Sequence, residues 1–354
     1  MAGLTGREVA LAFAKMGANS WNVAASVTKG AYFATDGGMM YQPQRVNDTA
    51  FGQAFLGAGD YGNVSAVDAQ LTQRARYDDW SYILEGLVMG SPAAVTISSS
   101  ASGQVTSWQH IIDLAPSSDG LAATFATDKV LFVDETTSAK VYGMTFGLGD
   151  SGVYDETFRI MATGTTNISS INTRSTVNGA TFKSLDHRVF QKQSTFRVKP
   201  QSAGSLVAGD EVKAEKLEWT FIRPQDAPHV TGQDVIFEPA DNDHPEIKLT
   251  VTYPRMTTVT ANSLYQALRD DQTFKADITA LGALINSTDR YTVRFQFPHL
   301  ELDDWQAPVT GANQVKPTAT WTAKQAVSSV NGMPFTRPFR LTRIMTNSLS
   351  AFSA

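Results

Sequence analysis

Residues 141–164, VYGMTFGLGDSGVYDETFRIMATG, restrict the fold more than any other stretch of the chain. Tyr142, Met144, Phe146 and Leu148 alternate with Gly143, Thr145 and Gly147. After the turn GLGDSG (147–152), Phe158, Ile160 and Ala162 alternate with Thr157, Arg159 and Met161. A side-chain period of two with one apolar face is the signature of a half-buried strand, so this stretch reads as a β-hairpin. The same period returns at Phe196/Val198, Leu217/Trp219/Phe221, Ile247/Leu249/Val251/Tyr253 and Tyr291/Val293/Phe295/Phe297. Strands apolar on one side only point to antiparallel sheets packed on one face, in a sandwich or partly closed barrel.

The composition agrees with that reading. Apolar residues make up 42% of the 354, enough for a substantial core, while charged residues make up only 18%. The net charge of −5 argues against a protein that grips nucleic acid through its phosphates. The absence of cysteine excludes disulfides, thiolate catalysis and cysteine-based zinc sites. No stretch approaches the roughly 20 apolar residues of a membrane span, and the start, MAGLTGREVALAFAKMG, makes a poor secretory leader because Lys15 interrupts a short apolar run.

Helices are few. In DDWSYILEGLVMG (78–90), Trp80, Ile83, Leu84, Leu87 and Val88 share one helical face, Asp78 or Asp79 is placed to cap the start, and Gly90 and Pro92 stop it. NSLYQALRDD (262–271) reads as a shorter helix with Leu264, Ala267 and Leu268 inward, and TFKADITALGALIN (273–286) fits either a strand or a helix. A faint repeat lays residues 67–84 over 251–268, 110–116 over 292–298 (each a strand closed by proline) and 143–146 over 318–321, at an offset of about 175 to 184 residues. The resulting division is an N-terminal arm and loop over 1–62, β-domains over 63–200 and 201–330, and a C-terminal arm over 331–354. Both arms carry large rings in loop-like sequence: Trp21, Tyr32 and Phe33, and Phe335, Phe339 and Phe352. Such rings bury against their own domain or a neighbouring subunit, and these six are our candidates for contacts between subunits.

Few residues suggest chemistry. GAGDYG (57–62) matches Gly-x-Gly-x-x-Gly, and Asp78 and Asp79 follow about where a ribose-binding acid would lie. A dinucleotide site also needs a buried strand before the first glycine and a helix opening at the third. Neither NDTAFGQAFL nor NVSAVDAQLTQ supplies them, so the glycines read as a turn that leads into a strand at Val64. The five histidines are scattered, and Asp241 and Asp243 lack the other ligands of a calcium loop. Adjacent acids such as Asp303 and Asp304 point to opposite faces of a strand. No catalytic constellation, metal site or cofactor is expected.

Four stretches resemble the major tail tube proteins of long-tailed bacteriophages. They are GREVALAFAKMGANSWNVAASVTKGAYF near the N-terminus, the glycine-rich turn with YDDWSYILEGLVMG, the hairpin VYGMTFGLGDSGVYDETFRIMATG, and YTVRFQFPHLELDDWQAPVTGANQVKPTATWTA. The resemblance implies a β-sandwich or partly closed barrel with a flanking helix, and the faint repeat raises a tandem duplication of that fold as one form of it. It also implies self-assembly into stacked rings that form the hollow virion tube conducting phage DNA into the host. The partners it implies are further copies of the chain, a tape-measure protein, a tail terminator and baseplate or tip proteins, with DNA only in transit. The chain would be made in the host cytoplasm and reside in the phage tail. Rings would contain six copies, or three if the fold is duplicated. The alternatives are another phage β-protein (a tail terminator or capsid decoration) and a carbohydrate-binding β-sandwich using Trp108, Trp219, Trp305 or Trp321.

Overall fold

The computed structural model describes residues 10–17, 20–33, 43–46, 60–64, 66–91, 94–101, 104–164, 166–255, 266–268, 270–307 and 315–349. The protein is mainly β. In chain order the strands are β1 (Ala10–Lys15), β2 (Lys29–Ala31), β3 (Pro43–Val46), β4 (Asp60–Val64), β5 (Val67–Arg74), β6 (Ala94–Ala101), β7 (Gln104–Asp113), β8 (Ala123–Asp128), β9 (Val133–Leu148) and β10 (Tyr154–Ala162). They continue with β11 (Ser194–Pro200), β12 (Lys216–Ile222), β13 (Gln225–Asp226), β14 (Ala240–Asp241), β15 (Glu246–Thr252), β16 (Phe274–Leu284), β17 (Arg290–Gln306), β18 (Thr318–Ala323) and β19 (Arg340–Met345). Two short helices are α1 (Ser81–Met89) and α2 (Arg174–Asn178).

Fifteen strands form one antiparallel sheet in the order β2-β1-β8-β9-β12-β15-β18-β17-β19-β7-β6, with β10 and β5 added at β9 and β16 and β11 added at β17. The branching is symmetric about β15: β9 and β17 each lie two steps from it and each carries two added strands. Two long strands act as hubs, each sharing one edge between two partners. β8 bonds β9 as far as Ala139 and β12 takes over at Gly143, while β19 bonds β17 as far as Gln296 and β18 takes over at Leu300. The landmarks 139 and 143 correspond to 296 and 300, a constant offset of 157 (296 − 139). The other edge of each hub carries a bulge at the same switch point, between Arg159 and Ile160 opposite β9 and between Phe274 and Ala276 opposite β17. The two hubs are thus alike, but in a register other than the one expected, which laid β9 over β18 and β7 over β17.

The sheet curls on itself. β9 and β17 are four strand steps apart, about 19 Å on a flat sheet at the usual spacing. Yet Phe146 on β9 and Phe295 on β17 have ring centroids 4.7 Å apart, and Trp219 on β12 lies 4.9 Å from Phe295. Only a sandwich-like closure brings these faces together, and the alternating rows then fill one interior. Leu217, Trp219, Phe221, Leu249, Val251, Val293, Phe295 and Phe297 are all buried. Burying such side chains supplies roughly 1.5–3 kcal/mol each before entropy is counted.

Several expectations change. Phe274, Ala276, Ile278 and Ala280 alternate inward on β16, so the ambiguous stretch 273–286 contains a strand. β17 runs through Pro298 rather than closing there. Tyr142 leaves the face of Met144, because the bulge pairs Ile160 with Val141, and its hydroxyl donates to Asp68 at 2.7 Å. Ala267 is buried but Leu268 is exposed, and Asn262 and Leu264 lie outside the described residues. The boundary at residue 200 does not divide the sheet, since β12 bonds both β9 and β15. Nor are the ends only arms: β1 pairs with β8, and β19 lies between β17 and β7.

Candidate functional site

The helix α1 is the best starting point, because charged residues gather around it. All nine of its residues are buried. Gly90 ends it in the left-handed region at φ 71°, and a Cβ there would meet the Ser117 carbonyl oxygen at 2.2 Å. At the start, Asp79 accepts from the Ser81 backbone N–H at 3.1 Å, from one position before the N-cap Trp80. Asp78 turns instead to Lys183 at 3.1 Å and to Thr346. The expected acidic cap is therefore Asp79, acting from outside the usual cap position.

Two buried arginines clasp the helix. Arg223, just after β12, donates to the carbonyls of Val88 (2.9 Å), Met89 (3.1 Å), Ala115 (2.6 Å) and Pro116 (3.3 Å), and pairs with Asp241 at 3.0 Å. A cation at the carbonyl end also suits the helix dipole. Arg343, on β19, reaches the first turns. Its Nε donates to Glu85 at 2.9 Å, its Nη1 to the Arg76 carbonyl at 2.8 Å, and its Nη2 to Glu85, to Ser81 at 3.2 Å and to Glu156 at 3.5 Å. Asp79 lies 3.8 Å from Nη1, and Gln73 donates to both Asp79 (3.0 Å) and Glu156 (3.2 Å). Glu85 and Glu156 are both 0% exposed. Burial, reinforced by the Glu85 charge, pushes Glu156 up to about 8, and burial pushes Asp79 up to about 6.

The opposite face of the sheet is polar. Thr72, Thr157, Thr145 and Thr220 stand in one row across β5, β10, β9 and β12, each directly opposite the next. The hydroxyls of Thr72 and Thr157 are 2.9 Å apart and those of Thr145 and Thr220 3.3 Å. All four side chains are half-buried and reach solvent. Gly143 keeps the middle strand low: a Cβ there would lie 3.2 Å from the Arg159 Cδ and from the Phe221 oxygen. Five cations on this side of the sheet are matched within the chain. Arg74 pairs with Asp155 at 2.8 Å, Lys216 with Glu218 at 3.0 Å, Lys248 with Glu246 at 3.4 Å, Arg294 with Asp277 at 2.6 Å and Arg340 with Asp113 at 2.6 Å.

The six aromatic candidates separate. Phe339 is wholly buried, 4.8 Å from Trp219 and 5.2 Å from Phe297, and Phe335 is buried under the Arg340 guanidinium at 4.1 Å. Their assignment as contacts between subunits is corrected: adjoining β19, they fill this chain's own interior. Trp21, Tyr32 and Phe33 are half-buried. The Trp21 indole donates to the Ile236 carbonyl (3.0 Å), the Tyr32 hydroxyl donates to the Lys183 carbonyl (3.0 Å), and Phe33 meets Phe158 edge-on at 6.4 Å. Phe352, Gly57 and Gly59 lie outside the described residues, while Gly62 is in β4. Of the four tryptophans weighed for sugar stacking, Trp219 and Trp321 are fully buried and cannot stack on a ligand.

Among the described residues, no group of three or more His, Asp or Glu side chains is placed to hold a metal ion, and no helix is long and apolar enough to cross a membrane. A cleft of about 360 Å³ is lined by polar groups of Gln201, Thr273, His299 and Asn331. No family model matches the chain, and no curated protein matches its sequence.

Proposed function

We propose that the protein is a structural subunit of a phage tail tube, assembling with further copies of itself into stacked rings around a channel for DNA. The observation that carries this reading is the large antiparallel sheet with incomplete edges. Among the described residues, the eight-residue strand β5 pairs only with β10, and the eight-residue strand β6 pairs only with β7. Long unpaired edges are an aggregation hazard for a monomer and a means of closure for a ring. The two alike hubs support a ring of three chains with six similar units, with six chains as the other outcome. The polar face suits a channel wall: five of its cations are already paired, so passing phosphates find fewer free partners, and the net charge of −5 repels them. The tape-measure, terminator and tip proteins would meet such a tube at its interior and its ends.

Electron microscopy of the purified chain tests the reading. The expected result is hollow tubes or stacked rings, with three chains per ring in a reconstruction free of imposed symmetry. A monodisperse monomer at all concentrations and salt conditions would overturn the proposal, and six chains per ring would remove the three-chain form of it.

A further inference from the structure

The cluster around Arg343 contains more acid than its one clasping cation can match. Glu85 from α1, Glu156 from β10 and Asp79 from the segment before α1 converge on a single guanidinium. Arg76 is the other buried cation nearby, but its side chain donates to the carbonyls of Arg74 (3.2 Å) and Leu185 (3.5 Å). Around these stand Gln73 from β5, Asp78 before the helix, His110 from β7, and Arg188 and Tyr32, which act on Arg76. Glu85 and Glu156 both accept from the same Nη2 of Arg343 and both are wholly buried, so two carboxyls crowd one nitrogen away from water, an arrangement that favours a proton kept on one of them.

We propose that the Glu85–Glu156 pair retains one proton in the folded protein and acts as an alkaline release, whose loss of that proton loosens α1 from the C-terminal strand β19. With the proton in place, one carboxylate and one neutral carboxyl share the Arg343 guanidinium. Without it, two like charges face each other where no water screens them. The Thr346–Leu349 segment follows β19 directly and rests on the same helix. The Asn347 side chain donates to the Tyr82 hydroxyl at 2.7 Å, that hydroxyl donates to the Leu349 carbonyl at 3.1 Å, and His110 contacts the Asn347 carbonyl at 2.6 Å. Loosening at Arg343 is therefore transmitted to the end of the described chain.

The linkage has a definite sign. Glu156 in the folded state holds its proton to about 8, whereas an unfolded glutamate releases it near the usual value of about 4.3. The folded state binds more protons throughout that window, so stability falls as pH rises through it and levels off above. His110, which burial holds below its usual value, opposes this only in the acidic part, so readings between about pH 7 and 9 are cleanest.

The test is thermal unfolding against pH for the whole chain and for Glu156→Gln, whose amide keeps a hydrogen-bond donor and carries no charge. The wild type is expected to lose about 2 °C of Tm between about pH 7 and 9, and the variant to stay level. Hydrogen exchange of the wild type supplies a second reading that needs no variant. Protection over 340–349, corrected for intrinsic rates, should fall in that window while that of β15 holds. An equal slope in Glu156→Gln, or unchanged protection over 340–349, would overturn the proposal. If the variant does not fold, the exchange profile alone decides.

Discussion

Arg223 and Arg343 are the same group, each only 1% exposed, and their surroundings push them in opposite directions. Arg223 sits mainly among neutral carbonyls with one acid, so burial dominates and its pKa is lowered. Burial works against Arg343 too, but Glu85, Glu156 and Asp79 together outweigh it and raise its pKa. The lesson is that depth of burial does not decide what a buried charge does. A guanidinium facing carbonyls fastens one helix end by geometry, whereas one facing acids joins strands from distant parts of the chain and couples them to protons.

The contrast can be broken most forcefully at Arg343. Arg343→Met leaves three buried acids without their clasp and is expected to cost about 3–5 kcal/mol in urea unfolding. Arg223→Met frees several buried carbonyls at once and is expected to cost about 2–3 kcal/mol, with Arg223→Lys recovering only part because an ammonium cannot reproduce the fork. The same pair separates in pH. Asp79, raised to about 6, adds to the loss of stability as pH rises from about 4 to 6. Asp79→Asn should flatten that part of the wild-type profile, while Arg223→Lys should leave its shape unchanged. The smallest effect is expected on the polar face. Thr145→Val should change stability by less than about 1 kcal/mol, since its row reaches solvent and valine suits a strand. A larger loss, or lost assembly at unchanged stability, would mark the threonine row as a contact rather than a bare wall.

The strands were legible because alternation is local: Trp219, Leu249 and Phe295 announce their faces within a few residues. The single main helix was legible for the same reason, with Gly90 marking its end. Hub register was not, because a bulge is a long-range event. Nothing near Tyr142 says that its neighbour Val141 will face Ile160. The charged cluster was half visible. Glu156 lies on the same parity as Phe158 and Ile160, and an acid on an apolar face is a signal that strand reading can catch. Glu85 gave none, since it sits beside Leu84 on a helix whose every side is buried. Arg343 lies 258 residues from its partner in a stretch without periodicity, and only the sheet order brings it there. The aromatic ends misled for a related reason. Phe335 and Phe339 sit in loop-like sequence, but the strand that follows carries them into the interior.

The two hub strands have one more consequence. β17 is seventeen residues long and bonds to β16, β18 and β19, and β9 is sixteen residues long and bonds to β8, β10 and β12. Tension applied along such a strand loads many cross-strand hydrogen bonds at once in shear, rather than opening them one after another like a zip. Because each hub hands its load to different neighbours at its two ends, force entering at one end of the sheet is spread across most of its width. The molecule should thus be stiff along the strands and compliant across them, behaving as a directional beam.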